Sequence, residues 1–115
     1  MTTLVTPHDI DLDDEAKYGS IVGTIISLVP DVDKRSTLLP EWRVAEKRVK
    51  DEIAKGADPS STKPIELRLP KVGKLRIAHE GAQPPHRIVR VEFDNAQVAK
   101  KARALLRDDF AIETE

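Results

Sequence analysis

The chain has 115 residues, with 19 Lys and Arg against 20 Asp and Glu, no Cys, and four aromatic rings: Tyr18, Trp42, Phe93 and Phe110. A chain of this length makes one compact domain, and the absence of cysteine excludes a disulfide framework, a thiolate nucleophile, an iron–sulfur cluster and any Cys-based zinc site. No apolar run approaches the roughly 20 residues of a spanning helix, and the beginning of the chain is acidic, so the sequence predicts neither anchor nor signal peptide, no membrane association, and an intracellular place, cytoplasmic or nuclear.

The near-neutral total conceals a partition. Through Arg35 there are three basic and seven acidic residues; from Ser36 to Arg107 there are sixteen and nine; from Asp108 onward there are four acids and no base. A basic middle lies between acidic ends, which either keep a small domain soluble or screen a cationic surface while its partner is absent.

Residues 1–19 are polar and acidic without a sustained period, and are expected to form a flexible arm able to order against a partner. Residues 20–29 are β-branched and uncharged and stop at Pro30, which reads as a central strand. Residues 31–39 then form a turn or a frayed first helical turn, and Pro40 suits the first position of a helix. Its apolar stripe is Trp42, Ala45, Val49 and Ile53, and Gly56 ends it as a left-handed cap. After a loop at 57–63, Ile65, Leu67 and Leu69 alternate with Glu66 and Arg68 as a second strand, which 74–78 prolongs or pairs with. Residues 80–85, with Pro84 and Pro85, are irregular.

In residues 86–93, Val89, Val91 and Phe93 form one face and His86, Ile88, Arg90 and Glu92 the other. Asp94 or Asn95 caps a helix with the stripe Val98, Ala102, Leu105 and Leu106, and 110–112 forms a short last strand. The core candidates are Ile25, Trp42, Val49, Ile53, Val89, Val91, Phe93, Val98, Ala102 and Leu105. The expected fold is α+β: a ferredoxin-like split βαβ sandwich of order β-α-β-β-α-β, with two helices on one face of an antiparallel sheet. The domain would span 20–112, between the arm 1–19 and an acidic tail 113–115.

Several stretches carry a family resemblance. They are 21–29 ending at Pro30; Ala45-Glu46-Lys47-Arg48; Arg68-Leu69-Pro70-Lys71-Val72-Gly73-Lys74; Arg87-Ile88-Val89-Arg90-Val91-Glu92-Phe93; and Ala102-Arg103-Ala104-Leu105-Leu106. Together they resemble the RNA-recognition-motif-like domain of LINE-type retroelement first-open-reading-frame proteins, over about residues 20–112. The resemblance implies an RNA-binding sheet. The aromatic third-strand signature of RNA recognition motifs is missing, however, so contacts to RNA would rely on phosphates and Arg planes rather than stacked rings.

The candidate nucleic-acid-binding residues are Arg68, Lys71, Lys74, Arg76, His86, Arg87 and Arg90, since seven basic residues face two acids between Lys63 and Arg90. The alternative is a protein-interaction module that docks a partner, using Ile10 and Leu12 of the arm together with Trp42 and Ile88. A homodimer through sheet edges fits either reading. His79 and His86 flank the Pro-Pro turn without a third ligand, and neither a Gly-rich phosphate loop nor a nucleophile motif occurs. No metal, cofactor or catalytic activity is therefore expected.

Overall fold

The computed structural model describes residues 2–5, 15–80, 86–106 and 111–114. In chain order its elements are β1 (Thr2–Val5), α1 (Glu15–Ile26), α2 (Val32–Ala54), β2 (Ile65–Leu69), β3 (Gly73–Glu80), β4 (His86–Phe93), α3 (Ala96–Leu106) and β5 (Ala111–Thr114). The strands form one sheet of order β2-β3-β4-β1-β5, antiparallel at every junction. The α+β class and the single antiparallel sheet are as the sequence predicts, but among the described residues there are three α-helices rather than two.

Two expectations are overturned together. The predicted central strand at 20–29 is helical through Ile26, and Thr2–Val5, assigned to the flexible arm, takes a place inside the sheet between β4 and β5. The reason is periodicity. Tyr18, Ile21, Val22, Ile25 and Ile26 are the buried residues of α1, spaced i, i+3, i+4, i+7 and i+8, so a helix buries all five on one side whereas a strand would have split them between two faces. The polar side chains on the other side bond back to the helix: Thr24 Oγ1 donates to the Ser20 carbonyl at 2.8 Å, and Ser27 Oγ to that of Thr24 at 2.6 Å. This tertiary gain outweighs the weak β preference of Ile, Val and Thr. The acidic run from Asp9 to Asp14 lies outside the described residues, as does the Pro-rich segment 81–85.

The second helix also begins earlier than predicted. Asp31 caps it, accepting from the backbone N–H of Asp33 at 2.9 Å and of Lys34 at 3.4 Å, and the helix continues through Pro40 instead of starting there. Leu38, Leu39 and Trp42 pack into or against the core on both sides of that proline, which offsets the lost backbone bond. Gly56 closes the helix in the left-handed region at φ 100, with its N–H donating to the Ile53 carbonyl and that of Ala57 to Glu52, as expected from the sequence. Asn95 caps α3 by accepting from the Val98 N–H at 2.9 Å.

One core cluster joins all three helices to one face of the sheet: Leu4, Ile65, Leu67, Leu69, Leu75, Ile77, Val89, Val91 and Phe93 meet Tyr18, Ile21, Val22, Ile25, Leu38, Val49, Ala99, Ala102 and Leu106. Leu105, a predicted core residue, is 57% exposed because the α3 stripe runs through Ala99, Ala102 and Leu106 instead. Trp42, Ile53 and Val98 pack at the rim of the cluster. The other face of the sheet has no helix against it among the described residues, and it carries Glu66, Arg68, Lys74, Arg76, Arg90 and Glu92.

The β2–β3 turn brings the backbone of β4 very close. Gly73 sits at φ +155, and a Cβ there would fall 1.9 Å from the Glu92 carbonyl oxygen, a clash with backbone that no rotamer change relieves. Gly73→Ala is expected to cost about 2 kcal/mol or more. The loss should appear as a lower urea midpoint followed through Trp42 fluorescence, while Gly23→Ala, where an added Cβ meets nothing within 4 Å, leaves the midpoint unchanged or raises it.

Candidate nucleic-acid interface

Strand register arranges the open face as two rows. Glu66 on β2, Arg76 on β3, Arg90 on β4 and Val5 on β1 are successive cross-strand partners, as are Arg68, Lys74, Glu92 and Thr3. Four of the predicted contact residues, Arg68, Lys74, Arg76 and Arg90, thus lie together. They are not bare. Lys74 pairs with Glu66 at 2.8 Å, Arg76 reaches the same carboxylate at 3.9 Å, Arg68 pairs with Asp94 at 2.8 Å, and Arg90 pairs with Glu80. The hydrogen bond from Lys74, with its charge, holds the Glu66 carboxyl below the usual carboxylate range. Arg76 is the least committed of the four. The local surplus of base counted along the sequence is therefore largely offset in space.

Thr3, Lys74, Arg76, Arg90 and Glu92 line a recess of about 120 Å³ on this face. At its far end, Val5 and Ile88 are buried, at 5% and 1% exposure, and stand outside the main cluster. Ile88, offered as a contact for a protein partner, is therefore not a surface group. Lys71 projects from the exposed β2–β3 turn at φ 63, following Pro70, where the Val72 N–H donates to the Leu69 carbonyl at 3.0 Å. His86 is placed through its backbone pairing with Glu80. Ile10 and Leu12 lie outside the described residues.

Arg87 is the clear displacement. The sequence reading placed it on the binding surface, but it shares the helix-facing side of β4 with Val89, Val91 and Phe93, and its side chain is 9% exposed. Both terminal nitrogens donate to Glu15 Oε1, at 3.2 and 3.3 Å, and Glu46 Oε2 lies 3.5 Å away. The guanidinium stacks over the Tyr18 ring, 4.5 Å from its centroid, where the ring's quadrupole attracts a cation. Tyr18 donates to Glu46 Oε1 and accepts from Trp42 Nε1 at 3.1 Å, and the two rings meet edge to face at 5.5 Å.

Trp42, the other residue proposed for a protein contact, is thus engaged within the domain. Burial first, then the bond to the Glu46 carboxylate and its charge, push the Tyr18 hydroxyl far above the ordinary phenol value. Beside this network, Leu39, Trp42, Lys47, Lys50 and Asp51 edge an open trough of about 600 Å³ between α1 and α2. Its exposed charges are of both signs.

Among the described residues, no cluster of three or more metal-ligating side chains occurs, and no helix is long and apolar enough to cross a membrane. The fold is that of a small α+β domain with one helix-covered and one charged sheet face. Comparisons with protein-family models, curated proteins and solved structures return no match.

Removing Arg87 leaves Glu46 buried without its cation, so Arg87→Ala is expected to destabilise the fold by about 3 kcal/mol, read as a shift in the urea midpoint at unchanged slope. Alkaline pH tests the same network. Tyr18 is the single tyrosine, and its folded-state value lies above the unfolded one, so its contribution is intact below about pH 10 and is lost as pH rises beyond it. There the slope approaches about 1.4 kcal/mol per pH unit for one proton. Phenolate absorbance should emerge together with the loss of helical circular dichroism, not before it.

Proposed function

We propose that this chain is a small non-catalytic domain that holds the sugar–phosphate backbone of single-stranded RNA, or another single-stranded nucleic acid, on the open face of its sheet. The observation that carries the reading is the grouping of Lys74, Arg76 and Arg90 on neighbouring inner strands of a face that carries no aromatic ring among the described residues. Tyr18 and Phe93 are buried on the helix side, and Trp42 packs on Tyr18. Without stacking, cations and hydroxyls are the available means of gripping a strand, and they read phosphate rather than base.

Topology supports the same reading. β1 and β3 both run antiparallel to β4, which lies between them, and β5 closes the other side of β1. With β2 taken as an added edge strand and α1–α2 as one crossover, this arrangement is compatible with the split βαβ order of the ferredoxin-like and RNA-recognition-motif-like plan. In that plan the binding platform centres on β4 and β1, which carry Arg90 and Thr3, and Lys74 and Arg76 flank them on β3.

The carboxylates interleaved with the cations make affinity modest and salt-sensitive. Fluorescence anisotropy of a labelled mixed-sequence single-stranded RNA is expected to show binding at about 50 mM salt that weakens steeply by about 200 mM. Arg76→Ala and Arg90→Ala should each flatten the salt slope by about 0.7 for a lost phosphate contact. Glu66→Gln, which releases Lys74 and Arg76, should tighten binding. An absence of binding at low salt, or an Arg76→Ala variant with the parent slope, would refute the proposal.

A further inference from the structure

We infer that the recess bounded by Thr3, Lys74, Arg76, Arg90 and Glu92 is an oxyanion site of a size for one phosphate group. On the backbone-binding reading, on which this identity of the occupant rests, it seats a single phosphate of the bound strand.

The first observation is a repulsion built into the sheet. Arg76 and Arg90 are direct cross-strand partners, and like charges placed opposite each other in a sheet are unfavourable. Their carboxylates stand outside the pair: Glu66 on β2 reaches Arg76 at 3.9 Å, and Glu80, further along β3, takes Arg90. An anion seated between the guanidiniums relieves the repulsion and accepts from both.

The second observation is independent of charge. Thr3 is 5% exposed, and its Oγ1, shut off from solvent, has no hydrogen-bond partner among the described residues. Buried hydroxyls are normally satisfied, because burial without a partner forfeits hydration and returns nothing. Thr3 lines the recess, so a χ1 rotation that turns this hydroxyl out of its sealed position gives it an oxyanion to donate to, and such charge-assisted bonds are among the strongest available to a neutral donor.

The third observation is size. The recess encloses about 120 Å³, against about 30 Å³ for the share of one water in the liquid, so a tetrahedral anion fits. Glu92 shares the recess and offsets one of its three cations. The site therefore favours an anion that binds through several directed hydrogen bonds over one held by charge alone, and phosphate meets that requirement where chloride does not.

The test is a titration of the intact chain with inorganic phosphate at constant ionic strength, with chloride as the balancing salt, following backbone amide and Arg side-chain N–H resonances. Saturable shifts at Thr3, Arg76 and Arg90 are expected. Half-saturation should be about tenfold weaker in Thr3→Val and restored in Thr3→Ser, consistent with the worth of a charge-assisted hydrogen bond; circular dichroism checks that both variants fold, and Arg76→Gln serves should Thr3→Val not fold. Shifts that do not saturate, or that chloride reproduces, overturn the site. So does phosphate binding in folded Thr3→Val equal to the parent's. RNA binding that persists while phosphate gives no saturable shift removes the recess and leaves the backbone-binding reading standing. Saturable phosphate binding without RNA binding at low salt upholds the oxyanion site and removes the backbone-binding reading.

Discussion

The guanidinium of Arg87 is the point to which the helical layer is tied. It rises from β4 into the interface with α1 and α2, where it meets the Tyr18 ring and the carboxylates of Glu15 and Glu46. Glu15 and Tyr18 come from the first turn of α1 and Glu46 from α2, so the cluster sets how α1 lies against α2 as well as how both lie on the sheet. Burying such a group is costly unless every charge is matched, and here two acids, a ring face and a phenol that is itself held by Glu46 and Trp42 supply the match. An apolar residue at position 87 could fill the space, but it would not dictate which helix face turns inward.

The same alternation that sends Arg87 inward sends Arg76 and Arg90 outward. The open face is a lattice in which each cation has a carboxylate within reach, and the result differs from the strongly basic surface suggested by counting charges along the chain. Its capacity to bind an anion depends on which pairs are loose. The long Arg76–Glu66 contact and the unsatisfied Thr3 hydroxyl mark the place where an incoming phosphate would displace least. On the proposed function, sequence tolerance follows from the same arrangement, since phosphates are identical along a strand and none of the rings among the described residues lies on this face.

Much of the fold was legible in the sequence wherever the local signal and the global arrangement agreed. Ile65, Leu67 and Leu69 alternate cleanly and form β2; Val89, Val91 and Phe93 define the inner face of β4; Asn95 and Gly56 cap helices as their side-chain chemistry and backbone freedom require. In residues 20–29 composition and periodicity disagree: the β-branched content favours a strand, while the spacing of Tyr18, Ile21, Val22, Ile25 and Ile26 favours the helix that forms. The candidate site was half legible. Arg68, Lys74, Arg76 and Arg90 follow from even-numbered alternation, while Arg87, odd-numbered beside Val89, carried the parity of the core and was assigned outward on its charge alone.

The sequence by itself determined the hydrophobic alternation, the helix ends and the concentration of cations in the middle of the chain, because these depend on neighbours within a few residues. Only the tertiary structure decided that Thr2–Val5 completes the sheet, that Glu15 and Glu46 converge on Arg87, and that Arg76 faces Arg90 beside an unpaired Thr3 hydroxyl. Apart from the Arg76–Arg90 pair, 14 positions apart and closed by the β3–β4 connection, those juxtapositions join residues 41 to 112 positions apart. Such contacts are selected by what can be buried and paired at once across the whole chain, a condition that no local window of sequence contains.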